Sequence, residues 1–174
     1  MCIRDSPRVK VVNDDAFTYV QDSKATYDVA LIDLVDPSNE KLAKLYSTEF
    51  YRNIEARLAP EGVMVTQATS TFFSPHAFST VASTVAAAQP DRQILPFSTN
   101  IPSFGEWGFV LSTRTPQNLI SQPLPKGLTY QDRKTLEFIM RTKPARTESM
   151  EPSTLLHPRI VEVYNQDMRQ WRYY

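Results

Sequence analysis

Four short clusters hold most of the residues with which this sequence could do chemistry: Asp14-Asp15, Asp33 with Asp36, Gln67 with Thr69 and Ser70, and the run Pro102-Ser103-Phe104-Gly105-Glu106-Trp107-Gly108-Phe109. Together they offer carboxylates, an amide and aromatic rings, with few cations nearby. Such a set suits a cationic ligand, because carboxylates neutralise ammonium groups and ring faces attract them through their quadrupole. It does not suit phosphate. Metal and thiol chemistry lack their residues: the only cysteine is Cys2, and the only histidines are His76 and His157. No Cys/His cluster can be assembled for zinc, and no disulfide can close within the chain. Ser70 stands outside any strand-turn-helix nucleophile elbow, which argues against a hydrolase.

The charge balance narrows the partners. Of 174 residues, 19 are basic and 19 acidic, for a formal net charge of zero. A nucleic-acid or anionic-membrane binder would show a basic excess or cluster, so no nucleic-acid partner is expected. Hydrophobic residues at 41% and charged residues at 22% are ordinary for a soluble globular chain. No apolar stretch approaches the ~20 residues that span a bilayer.

Positioning the clusters falls to β-branched runs that alternate with helical periodicity. Val9, Val11 and Val12 read as a strand delivering Asp14 and Asp15 into a turn and helix cap. Phe17, Tyr19 and Val20 give the next short helix its buried stripe. Val29-Ala30-Leu31-Ile32 is apolar without alternation, as expected of a strand covered on both faces, and it ends at Asp33. Phe50, Ile54 and Leu58 recur every four residues in a helix predicted over Thr48 to Ala59, capped by Ser47 and stopped by Pro60 and Gly62. Gly62 to Thr66 is the following strand and leads to Gln67. Ser74-Pro75 should cap and open a helix to about Ala88, in whose first turn His76 is expected to be solvated. Gln93 to Leu95 and Trp107 to Ser112 complete an antiparallel hairpin, with Phe109 expected in the core.

This order predicts an α/β, Rossmann-like, doubly wound sheet of the S-adenosylmethionine-dependent-methyltransferase type, lacking its amino-terminal strands. In such sheets ligands bind outside the carboxyl ends of the strands, where the polar clusters gather. A connector over Pro116 to Pro125 leads to two amphipathic helices, one carrying Leu136, Ile139 and Met140, the other Ile160, Tyr164, Met168 and Trp171. Residues 7–113 are expected to form the partial catalytic domain and residues 114–174 a linker and helical carboxyl-terminal extension. Met1 to Ser6 resembles the translation of a transposase end sequence used in library preparation. On that reading residues 1–6 are an artefact, Cys2 is not native and the protein extends upstream.

Several strings resemble the spermidine and spermine synthases. Asp28-Val29-Ala30-Leu31-Ile32-Asp33-Leu34-Val35-Asp36-Pro37 looks like that family's aspartate-x-x-aspartate-proline signature. Leu45-Tyr46-Ser47-Thr48-Glu49-Phe50-Tyr51 follows at the family's spacing, as does Gly62-Val63 leading to Gln67. Ile101-Pro102-Ser103-Phe104 and Gly105-Glu106-Trp107-Gly108-Phe109 resemble its late loop and last hairpin. The resemblance runs from about Pro7 to Thr113. The tail resembles a bacterial subgroup whose amino-terminal half carries transmembrane helices, which implies a cytoplasmic catalytic domain in a protein anchored upstream in the inner membrane. Membrane contact would come only through those upstream segments, and a homo-oligomer is left open.

The resemblance implies aminopropyl transfer from decarboxylated S-adenosylmethionine, a co-substrate, to the diamine putrescine, with no metal. Asp33 matches the catalytic carboxylate. Asp36 matches the residue that helps hold the diamine, Gln67 lines the acceptor side, and Tyr46 lies close to the acceptor. Phe104 stands where the family often has tyrosine, which removes a hydroxyl from the acceptor site. Asp14, or its neighbour Asp15, matches the acidic residue that binds the adenine amino group. The chain has only four glycines, Gly62, Gly105, Gly108 and Gly127, so the family's glycine-rich nucleoside loop is absent, and the chain by itself is expected to be inactive. Plain structural roles compete with these: Asp14 and Asp15 as helix caps, Asp33 and Asp36 as loop carboxylates bonded to backbone amides. A methyltransferase on the same fold, or a non-catalytic domain, are the rival readings, since fold alone does not separate them.

Overall fold

The computed structural model describes residues 6–115, 123–128, 132–141 and 148–171. The elements are α1 (Ala16–Asp22), β1 (Tyr27–Ile32), α2 (Glu40–Ala43), a 3-10 turn (Lys44–Tyr46), α3 (Thr48–Glu55), β2 (Leu58–Ser70), α4 (Pro75–Ala88), β3 (Gln93–Ile101), β4 (Gly105–Thr113), α5 (Arg133–Arg141) and α6 (Arg159–Arg169). The four strands form one sheet in the order β1-β2-β4-β3. β1 and β2 are parallel, Val29 to Ile32 pairing with Val63 to Thr66. β4 runs antiparallel to both β2 and β3, so the expected hairpin forms and its second strand, β4, lies between two strands of common direction.

Alternation sorts the sheet into two faces. Met64, Ala68 and Val110 point to one side, where Phe50, Ile54, Phe78, Val81, Val85, Ile160 and Val163 from α3, α4 and α6 complete the core. The opposite face carries Val65, Gln67 and Phe109, and α5 lies against β3. The expected cover on both faces of β1 is not observed: Ala30 and Ile32 pack against the core, whereas Val29 and Leu31, on the face that carries Val65 and Gln67, stay 57% and 76% exposed.

Several local expectations need correction, among them the buried stripe of α1, where Tyr19 is 37% exposed and no residue is fully buried. Val9, Val11 and Val12 form no strand; Val11 is 51% exposed, and Val9 N–H instead closes a turn on the Ser6 carbonyl. A strand needs a ladder partner, and none is described at that edge. The helix over Thr48 ends at Glu55, because the Arg57 carbonyl accepts from Tyr27 N–H and Leu58 pairs with Tyr27, which draws the chain into β2 early. β2 is therefore longer than the Gly62–Thr66 run and includes Gln67, Thr69 and Ser70. Ser47 does cap α3, accepting from Phe50 N–H at 3.2 Å, but Ser74 makes no capping bond.

Asp167 of α6 does that work instead. Its Oδ2 accepts from the backbone N–H of His76 at 3.0 Å and of Ala77 at 2.9 Å, and its Oδ1 lies 2.6 Å from His76 Nδ1. His76 is thus paired rather than simply solvated. A carboxylate at a helix N-terminus satisfies orphan N–H groups and complements the dipole. The expectations on residues 1–5, on the connector from residue 116 to 122 and on the side chains of Ile139 and Met140 fall outside the described residues.

Candidate active site

β1 ends at Ile32 and releases the chain into the loop Asp33-Leu34-Val35-Asp36-Pro37. Two clefts open there. The larger, of about 670 Å³, is lined by Asp33, Asp36, Val65, Gln67, Ile101, Phe104, Trp107 and Phe109, among others. The smaller, of about 370 Å³, lies between α1, β1 and α3 and is mostly apolar. Leu31, Ile32, Asp33 and Leu34 line both.

Asp33 is exposed at this shared wall. Asp36 is half-buried, and burial holds its carboxyl above the ordinary aspartate range, while the hydrogen bond from Tyr164 pulls the other way. Tyr164 Oη donates to Asp36 Oδ2 at 2.9 Å. Phe104 is 62% exposed and leans on Trp107 with ring centroids 5.4 Å apart. Phe109, expected in the core, is only partly buried: it stacks on Phe97 at 5.5 Å and walls the larger cleft.

Behind these surface groups sits a closed polar network. Gln67 Nε2 donates to the Leu34 carbonyl and to Tyr46 Oη, each at 2.7 Å. Gln67 Oε1 accepts from Thr69 N–H at 2.8 Å and from Trp107 Nε1 at 3.1 Å. The Tyr46 hydroxyl donates in turn to the Val35 carbonyl at 2.9 Å. The Gln67 amide is therefore satisfied through both ends, and the Asp33–Asp36 loop hangs from it by two carbonyls. Tyr46 is fully buried, and burial, with Tyr51, Asp36 and Asp33 nearby, drives its hydroxyl upward and keeps it protonated. It holds the loop from behind.

Thr69 anchors the same network with φ of +67°. A β-branched residue in the left-handed region costs about 1–2 kcal/mol. Its bonds to Gln67 and to Ser74, where the two hydroxyls lie 2.8 Å apart, offset that strain.

The structure brings Asp33, Asp36, Gln67 and Phe104 to one cleft, with Tyr46 directly behind it. Asp14 and Asp15 line neither cleft, although the next residue, Ala16, lines the smaller one. Asp15 caps α1 through Thr18 N–H at 3.1 Å and pairs with Lys44 Nζ at 2.6 Å. The Lys44 ammonium and the Thr18 amide hold its carboxyl below the ordinary value. Sequence reasoning missed Tyr164, whose one signal was a phenol on an otherwise apolar helix stripe, and the indole link from Trp107 to Gln67. Among the described residues no group of His, Cys, Asp and Glu is arranged to hold a metal ion, and no helix is long and apolar enough to cross a membrane.

The family model described as "Spermine/spermidine synthase domain" matches residues 1–122. The chain belongs to the spermine/spermidine synthase family. Polyamine aminopropyltransferase 1 of Streptomyces coelicolor is 40% identical over 175 residues, covering 98% of this chain and 32% of that protein. The polyamine aminopropyltransferase of Mycobacterium tuberculosis is 38% identical over 172 residues, covering 95% of this chain and 32% of the relative. The chain thus spans about a third of the length of these curated relatives. The fold is that of solved spermidine synthases. One, in complex with the transition state analogue AdoDATO, superposes with a TM-score of 0.65 at 21% identity over 80% of this chain and 50% of its own. Another, from Thermotoga maritima, gives 0.64 at 19% identity, over 80% and 48%.

Proposed function

We propose that this chain forms the acceptor side and the proton-accepting part of a polyamine aminopropyltransferase, which moves the aminopropyl group of decarboxylated S-adenosylmethionine to putrescine. One observation carries the reading most: two carboxylates, Asp33 and Asp36, leave the same strand end into a cleft with aromatic walls, in a member of the spermine/spermidine synthase family. Its similarity to polyamine aminopropyltransferases and to a spermidine synthase solved with the transition state analogue AdoDATO supports the same chemistry.

In the reaction the amine nitrogen uses its lone pair to form a bond to the aminopropyl carbon beside the sulfonium. The carbon–sulfur bond breaks, and its electron pair neutralises sulfur, leaving methylthioadenosine. One N–H proton must depart, and Asp33 accepts it, since an aliphatic amine is protonated at neutral pH and is unreactive until it loses a proton. Asp36 holds the diamine, Phe104 and Trp107 supply apolar and π surface for its chain, and the Gln67–Tyr46 brace fixes the loop so that alignment is prepaid. The resemblance assigns the adenine amino group of the donor to Asp14 or Asp15, which lie just ahead of Ala16 on the wall of the smaller cleft. The Asp15 carboxylate is already engaged by Thr18 and Lys44, which favours Asp14. The reading also carries a cytoplasmic catalytic domain with an upstream membrane anchor, both drawn from the resemblance of the tail.

The test uses the native gene product with decarboxylated S-adenosylmethionine and putrescine. Methylthioadenosine and spermidine should form in equal amounts, and Asp33→Asn should lower turnover by roughly 10²–10⁴-fold, the range of general-base catalysis, with little change in donor binding. Methyl transfer from S-adenosylmethionine would replace this reading with the methyltransferase one; amine binding without any product would leave a non-catalytic domain.

A further inference from the structure

The carboxyl-terminal tail reaches Asp36, on the wall of the larger cleft, through α6, and hydrogen bonds tie it down along the way. Met150 N–H donates to Ser83 Oγ at 3.0 Å and Ser153 N–H to Thr84 Oγ1 at 2.9 Å, which straps the tail across α4. Thr48 N–H donates to the Ser153 carbonyl at 2.9 Å, tying it also to the start of α3. Ile160 and Val163 are in the core, Asp167 caps α4, and Trp171 Nε1 donates to the Phe73 carbonyl at 2.9 Å. From this platform Tyr164 meets Asp36 at 2.9 Å, and Asn165 Nδ2 lies 3.4 Å from the Ser38 carbonyl two residues further along the same loop.

We infer that Tyr164 is a positioning residue for amine binding, fixing the Asp36 carboxylate so that the carboxyl-terminal extension helps decide how tightly an amine is held. The inference rests on the aminopropyltransferase reading and deepens it. A carboxylate that accepts a hydrogen bond through one oxygen cannot swing freely about its last torsion, so a bound ammonium meets it in one orientation. The donor is durable: burial and the Asp36 charge both push the Tyr164 phenol upward, so it stays protonated across the working range. Its bond also favours the charged form of Asp36, the form that attracts an ammonium, against the opposing effect of burial. The other titratable groups described around Asp36 are Tyr46 from the 3-10 turn and Asp33 from the same loop.

Tyr164→Phe, which deletes only the hydroxyl, tests this in the native gene product. The KM for putrescine should rise at least about tenfold, the lower end for loss of one hydrogen bond to a charged group, while kcat and donor KM stay within about twofold. The same change made on an Asp36→Asn background should add little, because the two act as one unit. A putrescine KM unmoved by Tyr164→Phe, or kcat and donor KM falling in parallel with it, overturns the inference. If the native product forms no methylthioadenosine, the transfer reading fails by itself. The inference is then judged from the Asp36 carboxyl titration followed by ¹³C NMR, which should move to higher pH in Tyr164→Phe and overturns the inference if it does not move.

Discussion

Asp36 occupies a place where function and stability pull apart. Burial holds its carboxyl above the ordinary aspartate value, so the folded chain binds a proton there more tightly than the unfolded chain. By linkage, that site adds stability below the unfolded pKa and loses it as pH rises through the folded one. Near neutrality the charged carboxylate is therefore a burden on the fold, carried because an ammonium ligand needs it. Asp36→Asn should unfold at a higher temperature than wild type near pH 7, since an amide can still accept from Tyr164. The gap should close as pH falls through the folded pKa of Asp36. Thermal denaturation across that range, set beside putrescine KM, should show stability and amine affinity moving in opposite directions. The charge of Asp36 could be read from the sequence as amine-binding. Its conflict with burial could not, because the packing around it is tertiary: its bonded partner Tyr164 lies on α6, 128 residues away.

At the scale of elements, β4 lies close over α4 because Gly108 has no side chain. A Cβ there would fall 2.4 Å from Phe78 Cδ2 and 2.6 Å from Cε2, with the Thr69 carbonyl at 3.1 Å. Phe78 is fully buried and has nowhere to go, so Gly108→Ala should cost about 1–3 kcal/mol, the usual penalty of overpacking. Urea denaturation should show a lower midpoint at unchanged slope; a midpoint equal to wild type would mean that α4 and β4 have slack between them. What sequence periodicity predicted best were elements whose burial is local. β1, α4 and the last hairpin came out at or near their expected places, because apolar runs and breakers decide them. Errors arose where a distant partner decided. Val9 to Val12 have strand composition but no strand to pair with, and the end of α3 was set by pairing of Leu58 with Tyr27. The cap of α4 comes from Asp167, about ninety positions on. No local pattern encodes that.

Across the whole molecule, the site was legible as a list of residues and much less so as an arrangement. The aspartate pair, Gln67 and Phe104 converge on one cleft, as expected from the rule that open α/β sheets gather ligands at strand ends. Their division of labour depends on depth. Gln67 and Tyr46, which read as ligand contacts, are bonded almost wholly to protein, whereas the open surface is left to Asp33, Asp36 and Phe104. Asp33 belongs to a stretch, Leu31 to Leu34, that is a wall of both clefts. Substrates bound in the two clefts would meet at that shared stretch, where Asp33 is exposed, so that amine nitrogen and aminopropyl carbon can touch directly. Under the proposed transfer, the chain then has no need to carry the aminopropyl group itself. Both substrates must be aboard before anything reacts, and the carbon passes from sulfur to nitrogen in one displacement that inverts its configuration. Initial-rate plots should intersect rather than run parallel, and a donor chirally labelled at that carbon should yield spermidine of the opposite hand.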